Sequence, residues 1–242
     1  MASTLTLAKT VEINKRFIYN APLFFLNDGD MAFSIGDWVR QFLLAPPFAW
    51  TWNRANMDPI ICQPGQTDYT FYLPDFGWLE KAWILFPVGT DNQPAFSKEL
   101  EIQDTLAQES VLGQPAFISQ IGDDNNGNIT FRLMGNPDRA YTLYLFYQKQ
   151  SKSFSSALDT WDPIPDYYTY LIHQGFLAKV YEYKGDERFA FAYQQFLKQV
   201  VAANVGLMDT QKNIFLDQNL VTARETRAAT EKPSTRTARG GE

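Results

Sequence analysis

The chain holds one histidine, His173, in the run Tyr170-Leu171-Ile172-His173-Gln174-Gly175, and one cysteine, Cys62. A histidine base needs a nucleophile and an orienting carboxylate within hydrogen-bond reach, and Asp162 and Asp166 are the acids that an enzymatic reading would place beside it. Spacing alone assembles no such trio, so a structural or surface histidine is expected. Cys62 lacks a partner for an internal disulfide and companion thiolates for a metal, which suits a small buried apolar residue in a reducing compartment. The run Asp123-Asp124-Asn125-Asn126-Gly127-Asn128 invites comparison with a calcium loop, but its acids do not alternate and no bidentate glutamate follows at the required distance. A solvated hairpin turn is the expectation there. Asp159 with Asp162, and Asp58 with Asp68, offer paired carboxylates of the kind glycoside hydrolysis uses, although acids at turns are usually caps. The nucleophile elbow, the phosphate-binding loop and the dinucleotide fingerprint are absent. These residues predict no enzyme, no cofactor and no metal site.

Aromatic residues are the stronger signal, with 19 Phe, 12 Tyr and 6 Trp making 15% of 242 residues. Trp50, Trp52, Trp78 and Trp83 concentrate in one stretch, where they could stack on sugars or on a single nucleic-acid strand. Only Arg54 and Lys81 are close by to hold phosphates, so packing in a core or at a subunit contact is the expected role. The net charge of -6 argues against specific nucleic-acid binding, and the N-terminus reads as neither a secretion signal nor a membrane span. A composition of 45% hydrophobic and 20% charged residues suffices for a sizeable core in one large domain, or in one domain carrying an insertion.

The elements that would carry these residues fall into three blocks. Residues 3 to 19, with Ser3 and Thr4 as caps, predict a short helix, and after the turn Asn27-Asp28-Gly29-Asp30 the residues Met31, Ile35, Trp38, Val39, Phe42 and Leu43 predict an amphipathic one ended by Pro46 and Pro47. From 49 to about 150 the texture is that of strands: Asp68 to Leu73, Lys81 to Val88, Glu99 to Ile102, Phe117 to Gln120, Asn128 to Leu133 and Tyr141 to Gln148, with a tight turn at Asn126-Gly127. Helical spacing returns after Pro163 and Pro165, from Asp166 to Tyr181 and again from about Asp186 to Asn204, with Gly206 as the end cap. Asn213 to Leu220 reads as a short helix or extended arm. Residues 221 to 242 carry five basic and three acidic side chains, a net +2 against -8 for the rest, and almost no large apolar residue; this tail is expected to be mobile on its own.

Several runs together resemble a family. Phe42-Leu43-Leu44-Ala45-Pro46-Pro47-Phe48-Ala49-Trp50-Thr51-Trp52-Asn53-Arg54 leads into Pro64-Gly65-Gln66-Thr67-Asp68-Tyr69 and Pro74-Asp75-Phe76-Gly77-Trp78-Leu79-Glu80-Lys81-Ala82-Trp83-Ile84, and the return runs from Trp161-Asp162-Pro163-Ile164-Pro165-Asp166-Tyr167 through Asp186-Glu187-Arg188-Phe189-Ala190. Over about residues 3 to 220 the order of elements is similar to that of head-to-tail adaptor, or connector, proteins in the neck of tailed bacteriophages.

The resemblance implies a virion structural protein, assembled in the host cytoplasm, that forms a ring of twelve copies. Such a ring joins the portal protein to the tail or nozzle protein and continues a channel through which DNA passes without sequence-specific contacts. It also implies that an extended C-terminal arm inserts between portal subunits. The expected fold is α+β: a discontinuous helical bundle of residues 1–48 and 151–220, a β-rich insertion at 49–150 and a flexible C-terminal arm at 221–242. By composition, Trp50, Trp52 and Trp161 at the joints and Arg224, Arg227, Arg236 and Arg239 in the tail are the partner-binding candidates. Other readings stay open: a tail terminator or tube component, a carbohydrate-binding module stacking on Trp78, Trp83 or Tyr141, and an enzyme built on His173, Asp166 or Asp162.

Overall fold

The computed structural model describes residues 3–15, 29–85, 97–104 and 112–204. They form an α+β protein with both helices and a curled β-sheet. The described residues up to Val39 and from Phe154 onward make one compact unit, and Arg40–Ser153 make the other.

In the first unit, α1 (Leu7–Lys15) buries Leu7, Thr10, Val11 and Asn14, one stripe at helical spacing. Its cap differs from the expected pair. Thr6 Oγ1 accepts the Lys9 amide at 3.2 Å, while Ser3 and Thr4 reach across to Asp166. Residues 16–19 of the predicted helix lie outside the described residues. The next helix, α2 (Gly29–Leu44), takes Gly29 and Asp30 into its first turn, where the sequence suggested an open turn. Val39 is the last of its residues in this unit, and Trp38 lies against Tyr193 and Phe196 with ring centroids 6.4 and 6.2 Å apart.

The second unit is the strand block. Its strands are β1 (Arg54–Asn56), β2 (Ile60–Cys62), β3 (Asp68–Tyr72), β4 (Phe76–Leu85), β5 (Ser97–Ile102), β6 (Leu112–Gly113), β7 (Phe117–Asp123), β8 (Asn128–Met134), β9 (Asn136–Pro137) and β10 (Tyr141–Lys149). Eight of them form one sheet in the order β1-β10-β4-β5-β7-β8-β3 with β2 also on β10, while β6 and β9 pair separately. Neighbours in the large sheet are antiparallel except β5 and β7. Its inner face packs Tyr69, Phe76, Phe131, Leu143, Leu145 and their neighbours into one core. The limits of this unit, Arg40 and Ser153, fall outside the expected 49 and 150. Side chains near the end of α2 explain why: Arg40 donates to the Lys152 carbonyl at 2.5 Å, and the indoles of Trp50 and Trp78 donate to the Leu43 and Leu44 carbonyls.

Four short strands escaped the sequence reading, and β4 begins at Phe76, five residues before the predicted Lys81. Gly77 explains the second difference. A Cβ there would stand 2.8 Å from the Gln148 carbonyl, so this is a close backbone crossing beside a register shift, where glycine is required inside a strand.

Back in the first unit, Asp166–Tyr168 form a 3-10 turn that leads into α3 (Thr169–Lys184), and α4 (Phe189–Ala203) follows. Gly185 adopts φ 63°, its amide bonds the Glu182 carbonyl and the Asp186 amide bonds Tyr181, which closes α3 in a left-handed cap. Asp186 then receives the Arg188 amide and guanidinium at 2.9 Å, starting α4. The helix pair packs through Ala178, Tyr181, Ala192 and their neighbours. Gly206, Asn213–Leu220 and the tail lie outside the described residues.

Candidate functional site

Trp50 and Trp161 are interior residues. Trp161 is fully buried in the first unit, donates its indole N–H to Thr10 Oγ1 at 2.8 Å and meets Phe154 edge to face at 4.9 Å. Trp50, 3% exposed, stacks on Trp52 at 5.4 Å in the strand unit. The buried Gln148 amide clamps the Trp50 backbone, accepting its N–H at 3.3 Å and donating to its carbonyl at 3.1 Å. These tryptophans fasten chain segments to each other, and Trp50 and Trp161 offer no exposed ring. Arg224, Arg227, Arg236 and Arg239 lie outside the described residues.

The acid and base candidates are each engaged separately. Asp166 accepts from Thr4 N, Thr4 Oγ1 and Ser3 Oγ at 2.7–2.9 Å, and these bonds hold its carboxyl below the usual range. Asp162 accepts from the Ser3 amide and from Thr160 Oγ1. His173 Nδ1 faces the Asn14 amide nitrogen at 3.0 Å. Asp159 caps the loop through Ser155 and Ser156, and Asp68 forms a two-pronged pair with Arg132 at 2.7 Å. Cys62 is buried, and loss of hydration pushes its thiol up to about 11, so it stays protonated and unreactive at neutral pH.

At the β7–β8 turn, Asp123 and Asp124 accept amides of their own loop: Asn125 N and Asn126 N at 2.8 Å, Asn128 N at 3.0 Å. Gly127 at φ 90° completes the turn. Among the described residues no cluster of three metal-ligating side chains occurs.

The surface with the most distinctive chemistry is the outer face of the strand unit. On β10, Leu143 and Leu145 point into the core, so Tyr144 and Phe146 point outward. Register places Tyr144 directly beside Trp83 and Phe146 beside Lys81 on β4, with β1 on the far side of β10. Trp83, Tyr144, Phe146, Lys81 and Arg54 line an open groove of about 300 Å³, at the lower end of the range of small binding clefts. Arg54 is fixed by Glu80, with Nε to Oε2 at 2.8 Å, and Gln148 donates to the same carboxylate at 2.6 Å. Lys81 stands exposed at the rim, and Ile61 on β2, 63% exposed, continues the apolar surface opposite Thr142.

Of the three stacking faces that a glycan reading requires, Tyr141 is buried and bonded to Asp138 through its hydroxyl, and Trp78 is half-buried with its N–H on Leu44. Trp83 alone lines the groove. The sequence reading missed Tyr144 and Phe146, yet a signal was present. Tyr141 to Tyr147 is apolar at nearly every position, so both faces of β10 had to be non-polar.

A second exposed aromatic group lies in the first unit, where Tyr167, 66% exposed, sits 4.5 Å from the Tyr168 ring, and Tyr170 follows. No described helix is long and apolar enough to cross a membrane. Residues 23–213 match the family described as SU10 adaptor protein. A comparison with curated proteins finds no match.

Proposed function

The chain belongs to the SU10 adaptor protein family, and from that premise we propose that it forms a ring at the phage neck, joining the portal to the tail and continuing the DNA channel. As a phage structural adaptor it is a virion component that contacts other head–tail proteins. The match over 191 residues is the observation that carries this reading, because it spans helices and strands alike.

Three features support the finer reading. The aromatic groove of the strand unit supplies a contact face: Tyr, Trp and Phe are the residues enriched where subunits meet, and a ring requires each copy to present two different surfaces. The exposed tyrosines around Tyr167 supply a second aromatic face. The acidic excess of the chain suits a channel in which phosphate slides without sticking. In this reading the helical parts from both ends form one bundle, the strand block is an insertion, and the ring holds twelve copies. The tail, with Arg224, Arg227, Arg236 and Arg239, orders on the acidic surface of the portal and offsets its conformational entropy there. The work is assembly, without catalysis or cofactor, in the host cytoplasm.

Mixing the purified chain separately with the portal protein and with the tail proteins of the same genome tests the placement. Binding to the portal supports the adaptor role. Binding to the tail proteins alone overturns it in favour of a tail terminator or tube component.

A further inference from the structure

The first unit carries a contact whose chemistry depends on one proton. Asn14, 2% exposed, sits in the last turn of α1, and its amide nitrogen makes two bonds: one to the Thr10 carbonyl at 2.9 Å, one to His173 Nδ1 on α3 at 3.0 Å. The Thr10 bond fixes which way the amide points, because a flipped Asn14 would set its oxygen against the Thr10 oxygen. With a nitrogen donor facing it, His173 Nδ1 must be the acceptor, and the neutral imidazole carries its proton on Nε2. A second proton turns Nδ1 into a donor, and two donors then face each other across a packed helix interface. Either the His173–Asn14 bond breaks or the amide flips and loses Thr10.

We propose that Asn14 and His173 form an acid-sensitive latch that holds the C-terminal end of α1 to α3 and releases it when His173 is protonated. The rest of α1 stays fastened on release. Its N-terminal half is anchored independently by Ser3 and Thr4 on Asp166, by the Leu7 amide on the Asp159 carbonyl and by Thr10 Oγ1 on Trp161. The device therefore loosens one end of a helix rather than unfolding the unit.

Several charged side chains on the packed elements pair with other groups. On α1, Lys9 pairs with Glu12 on the solvent side; on α3, Lys179 pairs with Glu182; Asp166 precedes α3 and Asp186 precedes α4, bound to Thr4 and Arg188. Lys15 follows Asn14 and adds a cation to that end of α1, while Lys184 closes α3. None of these pairs places a carboxylate on His173. Among the described residues, burial is the influence on His173, and it depresses its titration below 6.5.

Since His173 is the one histidine of the chain, its ring gives a single set of imidazole resonances. The experiment follows those resonances in the full-length chain from pH 8 to 5 while hydrogen exchange of peptides spanning α1, corrected for intrinsic rates, is measured at each pH. The latch predicts an Nε2–H tautomer at pH 8 and a titration below the ordinary histidine range. It further predicts that exchange across Asn14 and Lys15 rises with the same midpoint, by about tenfold for each unit of depression. In Asn14→Asp a carboxylate replaces the amide, so the midpoint rises above 6.5 and acid tightens α1 instead of freeing it. An Nδ1–H tautomer in the wild-type chain, or a titrating His173 with exchange across α1 unchanged, overturns the proposal even if the Asn14→Asp variant proves too unstable to study.

Discussion

At single side chains, the structure separates residues that hold the fold from residues free to meet a partner. Trp161 belongs to the first kind. Replacing it by alanine empties a fully buried indole site and removes the N–H that Thr10 Oγ1 accepts, although that hydroxyl keeps its bond to the Thr6 carbonyl; the change costs about 3–5 kcal/mol. Urea midpoints should show that loss, whereas Trp161→Phe should recover most of it. Asp186 makes a pH-dependent contribution of definite sign. Bonds from the Arg188 side chain and amide lower its carboxyl to about 2 from 3.8. Its support of the α3–α4 turn is therefore complete above pH 4 and fades as the pH falls toward 2. The stability difference between the native chain and Asp186→Ala should shrink over that interval, and a difference that persists at pH 2 would show that the carboxylate charge contributes nothing. The partner residues inferred from composition did not divide the same way. Trp50 and Trp161 were legible as important, but a sequence cannot tell an indole that fastens its own chain from one offered to another.

Elements were legible where a single period ran uninterrupted. The stripe Ile35, Trp38, Val39 and Leu43 announced α2, and the run from Tyr141 announced β10. What stayed hidden depends on contacts distant in sequence. Arg54–Asn56 has no marked strand preference and becomes β1 only because β10 pairs with it, and Gly77 lay ahead of the predicted strand although it permits the crossing at Gln148. The α3–α4 pair gives a test at this scale. Gly175 lets the buried Phe196 ring approach so closely that an added Cβ would lie 2.8 Å from it and 3.1 Å from Val39. Gly175→Ala should therefore destabilise the chain by about 1–3 kcal/mol despite the better helix propensity of alanine. Chemical denaturation decides it, since unchanged or raised stability would mean that Phe196 moves aside freely.

Across the whole molecule, the adaptor assignment and the aromatic surfaces point to association as the function. If the groove of Trp83, Tyr144 and Phe146 is a contact face, Tyr144→Glu should weaken assembly at least tenfold while leaving thermal stability of the isolated chain nearly unchanged, because the ring points outward from the core. Assembly that survives the substitution would move the contact elsewhere. Removing residues 221–242 should likewise reduce portal attachment and spare the fold, and undiminished attachment would refute the arm. The mixture of helices and strands was readable from the changes of texture near 49 and 150, whereas the limits at Arg40 and Ser153 depend on hydrogen bonds that no texture reveals. The central claim is that this chain closes into a ring against the portal. Sedimentation of the chain with and without the portal protein, followed by class averages of the complex, tests it most directly. A symmetric ring that forms on the portal is the predicted result, and a chain that remains monomeric and ignores the portal would contradict the account.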